Sequence, residues 1–182
     1  MARNHEIFPV VIIGGGLAGL TAALHLAERG LTPLVLDHFG LVDALGDLAS
    51  RTRRAHPDLQ LTLHTDLGER PVNAEMTLAL YRAAQEGLTN ALRHGEATQV
   101  RIELAASVAQ VELSVTDNGH GPPAEPRSTR GHHGLAWLGE RAQSLGGRLS
   151  LEPAPPRGAH LHLTLPMPPP APPPPEPGDP TR

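Results

Sequence analysis

The sequence predicts an α+β sandwich, a mixed and mostly antiparallel sheet with helices on one face, preceded by a short βαβ unit. Three observations predict it. Strands of strict apolar alternation come in adjacent pairs: Val100-Ile102-Leu104 with Val111-Leu113-Val115, and residues 148 to 151 with 160 to 165. Stretches of helical periodicity separate them, at 41–56, 73–94 and 134–145. An unbroken apolar run, Val10-Val11-Ile12-Ile13, stands just ahead of a glycine cluster. With 182 residues, the chain can hold one domain with a sizeable core plus decorations.

Residues 10 to 37 read as strand, tight turn, helix and strand, ending on Leu34-Val35-Leu36-Asp37. Gly14-x-Gly16-x-x-Gly19 follows the first strand and opens the helix, the context of a dinucleotide-binding fingerprint. In that reading Gly14 gives the turn, Gly16 admits a pyrophosphate and Gly19 allows close helix–strand packing. Asp37 would hold a ribose hydroxyl. Leu41 to His56 has helical spacing through Leu41, Ala44, Leu45 and Leu48, and Leu59 to His64 alternates as a short strand. A long helix follows from Asn73 to His94, with Asn73 as N-cap, Glu75 in the first turn and Gly95 as terminator.

The two alternating strands come next, joined by a short turn. A loop rich in Gly, Pro and His spans Asn118 to His133. The last helix, Gly134 to Leu145, stops at Gly146-Gly147, and Pro155-Pro156-Arg157-Gly158 turns between the closing strands. From Met167 the chain reads MPPPAPPPPEPGDPTR, a disordered, polyproline-II-like tail with few backbone donors; a ligand for a proline-reading domain is its alternative. The expected division is therefore 1–37, 38–166 and 167–182.

Composition narrows the chemistry. Apolar residues make up 39% of the chain and aromatics only 2%, so the core must be aliphatic. The net charge is −4 with no basic patch or acidic run, which argues against nucleic acid or an anionic membrane surface as partner. All 15 basic residues are Arg, so a phosphate would be met by Arg, His, backbone N–H groups or a metal. The lack of cysteine excludes disulfides, zinc–thiolate sites and thiol nucleophiles. No apolar run approaches the roughly 18 residues of a membrane span, and Met1 to Pro9 does not read as a signal peptide. A cytoplasmic chain is expected. Among the 11 histidines, His160 and His162 share a strand face and His132 and His133 are adjacent, but no third ligand has suitable spacing for a metal.

Three local patterns carry chemistry. On the long helix, Glu86 and Asn90 are four apart and point off one face, with Arg93 and His94 beyond. A carboxylate, an amide and a guanidinium on one stripe can flank a magnesium–triphosphate, although alone the stripe would pass for a solvated helix face. Asp117-Asn118-Gly119-His120-Gly121 ends a strand, placing a carboxylate where it can accept from an adenine amine while glycines let backbone approach the base. Alone, it would pass for an ordinary glycine turn. Gly131-His132-His133-Gly134-Leu135 opens a helix whose free N–H groups can bind an anion.

In that order the three patterns resemble the N, G1 and G2 boxes of the Bergerat ATP-binding fold of gyrase-type ATPases, Hsp90, mismatch-repair proteins and histidine kinases. The stretches LYRAAQEGLTNALRHG and GLAWLGERAQSLGGRLSLEP are similar to sensor histidine kinases that pair with LuxR-like response regulators, and the similarity reaches back to about Leu34. The resemblance implies a Bergerat-type α/β sandwich over about residues 34–166, with ATP and Mg²⁺ as ligands. It implies that Asn90 binds Mg²⁺, Asp117 the adenine amine, and Gly119 and Gly121 the base of a lid. Gly131, Gly134 and Leu135 would lie near the phosphates, Arg93 and His94 match the basic positions after the Asn, and Glu86 polarises the attacking group. Ala159 departs from the family, where many relatives place a Thr near the nucleotide.

Such kinases phosphorylate a His on a dimerisation helix, within a pattern like Glu-Leu-His-Asp. No such pattern occurs here; His5 and His25 stand in other contexts. ATP binding is therefore expected, with phosphoryl transfer only to a His in trans, on a separate dimerisation domain, and a response regulator as a further partner. In place of the dimerisation helices, VVIIGGGLAGLTAALHLAERGLTPLVLD resembles the start of FAD-dependent amine oxidases and carotene desaturase-like proteins, a Rossmann-like fragment that stops near Asp37. Residues 31 to 37 fit both families, which suggests a fusion and a structural appendage. Two other readings stay open: an FAD-binding oxidoreductase fragment using Gly14, Gly16, Gly19 and Asp37, and a non-catalytic ATP-binding regulatory module.

Overall fold

The structure, a computed structural model, describes residues 11–13, 34–36, 40–68, 72–122 and 133–167. Its elements in chain order are β1 (Val11–Ile13), β2 (Leu34–Leu36), α1 (Gly40–Ala55), β3 (Gln60–Asp66), α2 (Ala74–Arg93), β4 (Gln99–Ala106), β5 (Gln110–Asp117), α3 (His133–Ser144), β6 (Arg148–Pro153) and β7 (Ala159–Pro166). Five strands make one sheet in the order β3-β4-β5-β7-β6. β3 runs parallel to β4, and every other neighbouring pair in it is antiparallel. This is the mixed, mostly antiparallel sheet that the sequence predicts. β1 and β2 form a separate parallel pair with Val11 opposite Leu34. The fingerprint residues Gly14, Gly16, Gly19 and Asp37 lie outside the described residues, as do His5, His25 and the tail beyond Met167.

Alternation explains the layering. The inward rows are Val100, Ile102 and Leu104 on β4, Val111, Leu113 and Val115 on β5, and Leu161, Leu163 and Leu165 on β7, all buried. Register sets Ile102 opposite Val115 and Val115 opposite Leu161, so these rows fuse into one apolar face. α2 lays Met76, Leu80, Ala84, Leu88 and Ala91 into the core on that face, with α1 toward β3 and α3 toward β6. The outward rows stay polar. There the imidazoles of His160 and His162 stack with centroids 5.6 Å apart, and His162 Nε2 lies 3.6 Å from the Glu112 carboxylate. Among the described residues, no helix is long and apolar enough to cross a membrane.

Element ends follow local chemistry. α2 starts as expected, because the Asn73 side chain accepts the Met76 N–H at 2.9 Å and so satisfies a first-turn donor. Its far end also falls where expected, but the left-handed residue is Glu96 (φ 50°) and not the terminating Gly95. Gly95 is needed there for space: a Cβ on it would sit 2.8 Å from the Ala91 carbonyl oxygen. Its N–H donates to the Asn90 carbonyl at 2.9 Å, closing the helix with a wide turn. α3, by contrast, does end on a left-handed glycine, Gly146 (φ 75°).

Candidate functional site

Two elements meet at the site. Asp117 is the last residue of β5 and continues the inward row after Val115, so strand alternation turns its carboxylate into the helical layer, where the residue is 8% exposed. Oδ1 accepts the Gly119 N–H at 2.7 Å. The other oxygen takes no hydrogen bond from the described residues. Facing it, Gly87 lets α2 settle directly on β5, since a Cβ there would come within 2.8 Å of the Val115 Cβ. That close approach brings Asn90, one turn on, over the strand end.

Asn90 and Glu86 are both half-buried, and Asn90 Nδ2 donates to Glu86 Oε1 at 3.2 Å. With the amide nitrogen turned to the carboxylate, the amide oxygen is left for another partner. Gly87, Asn90, Val115, Asp117, Leu151, Ala159 and Leu161 line a narrow slot of about 10 Å³. Its walls are apolar, with Asp117 and Asn90 supplying the polar groups.

Gly134, in the first turn of α3, lies against Glu86: a Cβ on it would be 2.5 Å from Glu86 Oε2. The glycine lets a helix start, with its free N–H groups, come up to the carboxylate. Leu135 is half-buried and packs against the core. Arg93 and His94 stand exposed at the end of α2, and Gly131 lies outside the described residues. The structure thus gathers Glu86, Asn90 and Gly134 on the helical side, with Asp117, Gly119 and Gly121 on the strand side.

Other residues shape the site without standing out in the sequence. Gly158 (φ 122°) passes under the strand end so tightly that a Cβ would lie 1.8 Å from the Asp117 carbonyl oxygen. Gly121 (φ 80°) in turn meets the Gly158 carbonyl, 2.7 Å from where its Cβ would be. The sequence marks Gly158 only as a turn residue; its place beside Asp117 follows from β7 pairing with β5. Asn118 bonds the strand-end loop to the start of β4, a contact that no local pattern announces. On the other side of Glu86, a roomier groove of about 580 Å³ runs between α2 and α3, lined by Leu78, Arg82, Gln85, Thr89, Trp137 and Leu138 among others. Trp137 is 46% exposed there.

Comparison with known proteins bears on the family and the fold. Residues 76–169 match the family described as histidine kinase-, DNA gyrase B-, and HSP90-like ATPase. Residues 9–46 match the FAD dependent oxidoreductase family. The sensor-type histidine kinase PrrB of Mycobacterium leprae (strain TN) is 32% identical over 175 residues, 87% of this chain and 39% of that protein. The sensor histidine kinase ComP of Bacillus subtilis (strain 168) is 33% identical over 129 residues, 70% of this chain and 17% of that protein. The chain therefore spans about two fifths or less of the length of these two relatives. Among solved structures, the ATP binding domain of PrrB from Mycobacterium tuberculosis superposes with a TM-score of 0.56 at 34% identity, covering 73% of this chain and 96% of that one. With the sheet order and these matches in agreement, the chain belongs to the histidine kinase-, DNA gyrase B- and HSP90-like ATPase family, and its closing α+β sandwich is an ATPase domain of the sensor-histidine-kinase type.

Proposed function

We propose that the chain binds ATP with Mg²⁺ between α2 and the inward ends of β5 and β7, and transfers the γ-phosphoryl group to a His on another polypeptide. The observation that carries this reading is the Glu86–Asn90–Gly134 cluster beside an apolar slot whose polar end is Asp117. The unengaged Asp117 oxygen accepts from the adenine amine, and the slot, at about 10 Å³ too small for the base as it stands, must widen between Asn90, Leu151 and Ala159 to admit it. Gly119 and Gly121 let backbone approach it. Gly131, Gly134 and Leu135 bring the start of α3 to the phosphates, and Arg93 and His94 reach them from the end of α2. A bound Mg²⁺ neutralises charge on the phosphate oxygens, and Asn90, whose amide oxygen is turned away from Glu86, is the residue that would ligate it.

In the transfer, an imidazole nitrogen forms a bond to the γ-phosphorus as the bond to the bridging oxygen breaks, and ADP leaves with that electron pair. Glu86 accepts the proton from the other imidazole nitrogen. The groove between α2 and α3 opens onto Glu86 and offers room for the segment that carries the acceptor. Residues 38–166 form the working domain in this reading, in the cytoplasm and upstream of a response regulator; residues 1–37 are an appendage and 167–182 a tail.

Thermal stabilisation by ADP or ATP with Mg²⁺ tests the proposal. Ligand at 100 times Kd should add about 2.7 kcal/mol to the parent chain, and Asp117→Ala or Asn90→Ala should remove the effect. A parent chain indifferent to nucleotide refutes the reading. Mixing with a separate dimerisation domain and ATP should then yield phosphohistidine, whereas the chain with ATP alone yields none. The match of residues 9–46 favours one second reading, FAD held at Gly14, Gly16, Gly19 and Asp37. A purified protein with flavin absorbance would support it, and a colourless protein that ignores added FAD would end it.

A further inference from the structure

Strand alternation aims Asp117 inward, but a strand's last residue has no following pair to hold its direction. Here the hold comes from Asn118. Its Oδ1 accepts two backbone N–H groups, from Thr98 at 3.0 Å and Gln99 at 2.9 Å, while its Nδ2 donates to Thr98 Oγ1 at 2.9 Å. Its own N–H donates to the Gln99 carbonyl at 3.3 Å. Two residues on, the His120 N–H donates to the Gly95 carbonyl at 2.8 Å. Between them Gly119 lies so close to Gly95 that a Cβ would sit 2.3 Å from the Gly95 oxygen.

The loop after β5 is thus fastened to residues 95–99, the segment that leaves α2 just beyond Asn90. The fastening reaches the carboxylate directly, because the Gly119 N–H is the donor to Asp117 Oδ1. An amide meets this junction with an oxygen that takes two N–H groups and a nitrogen that donates to a hydroxyl; a carboxylate keeps the first and can accept from the Thr98 hydroxyl in place of the second.

We propose that Asn118 is a positioning residue for Asp117, which by pinning the strand-end loop to residues 98 and 99 sets the preference for adenine over a base with oxygen in place of the exocyclic amine. The proposal rests on the reading of Asp117 as acceptor for that amine. A merely structural anchor would affect every nucleotide alike. A positioning residue changes the ratio between bases, because at the exocyclic position adenine offers a proton to the carboxylate whereas hypoxanthine presents an oxygen, its N1–H lying one ring atom away.

The test is calorimetric titration of the full chain with ADP and with inosine 5′-diphosphate, each with Mg²⁺, well below the unfolding temperature. The parent should prefer ADP by about tenfold or more. In Asn118→Ala, ADP binding should weaken about tenfold with the inosine compound little changed, so that the preference falls to about threefold or less. Asn118→Asp keeps an oxygen for both N–H groups and should restore the parent ratio. Should the alanine variant not fold, Asn118→Ser, whose short hydroxyl can hold one of those N–H groups, should give an intermediate ratio. Equal weakening for both nucleotides, or an unchanged ratio, in Asn118→Ala or Asn118→Ser overturns the proposal. A parent that binds ADP without preferring it overturns it as well, by removing the Asp117 reading beneath it. A parent that binds neither nucleotide fails the proposed function itself.

Discussion

At the residue scale, two glycines beside the site leave out a methyl group for opposite reasons. A Cβ on Gly134 would meet the tip of Glu86, 2.5 Å away, and that tip can swing aside. A Cβ on Gly87 would meet the branched Cβ of Val115 at 2.8 Å, inside a core that cannot. Gly134→Ala is therefore expected to keep the unfolding midpoint of the parent and its ADP affinity within about threefold, while displacing Glu86 and slowing phosphotransfer more than about tenfold. Gly87→Ala should lose about 1–2 kcal/mol in urea unfolding, overpacking outweighing the gain in helix propensity. The sequence shows why only one of these glycines was legible. Gly134 belongs to a recognisable loop-to-helix pattern, whereas Gly87 reads as an ordinary helical glycine until β5 is laid beneath it. Thr77 makes a third case. It is fully buried and its hydroxyl has no hydrogen-bond partner among the described residues, so Thr77→Val should raise stability by about 1 kcal/mol, and a loss in the same urea measurement would contradict that account.

At the element scale, α2 carries both the chemistry and the core, and Tyr81 ties it to α1. Tyr81 is fully buried, and its hydroxyl accepts from Gln85 Nε2 at 3.3 Å. Burial raises its pKa above the ordinary 10.0, and the Arg51 guanidinium on α1 lowers it only in part. The chain has one Tyr, no Cys and no Lys, so Tyr81 is the side chain that ionises near pH 10. Below pH 10 both folded and unfolded states keep its proton. Above that value the unfolded chain releases first, so stability falls as pH rises toward the folded pKa. Urea midpoints should be level from pH 8 to about 9.5 and drop toward pH 11. Tyr81→Phe should cost about 1 kcal/mol at pH 8 but flatten the alkaline drop; an equal drop in both proteins would assign it to another cause. The elements themselves were readable because the Asn73 cap and the apolar periods are local signals. The left-handed Glu96 was not, since it depends on Gly95 fitting against Ala91 and then against the loop after β5.

At the scale of the whole molecule, the open question in the sequence is where two resemblances join, because residues 31 to 37 satisfy both. Pairing supports one answer. Leu34–Leu36 is bonded to Val11–Ile13 and does not extend the sheet that begins at β3, although β2 also contacts α1 and both strands contact α2; on the pairing we propose a seam just after β2. Beyond it, the buried cluster of the described residues runs from Leu41 to Met167 and draws on all three helices and on strands β3, β4, β5 and β7, with Leu149 of β6 packed against it. The two family matches overlap this division only in part, one spanning 9–46 and the other 76–169, so α1 is the contested element. The packing of α1 favours the ATPase side: Leu41, Ala44, Leu45 and Ala49 enter the core, and Arg53 donates through Nε and Nη2 to the Leu61 carbonyl on β3 at 3.1 and 2.9 Å. A polypeptide of residues 38–167 is therefore expected to fold cooperatively and to keep the full nucleotide-induced shift in its unfolding temperature. One beginning at residue 57, without α1, should leave β3 and α2 uncovered and aggregate or unfold. Nucleotide-dependent melting of the two fragments beside the full chain decides the matter. If the longer fragment fails, the amino-terminal strands are part of the working fold and the seam drawn from their pairing is wrong.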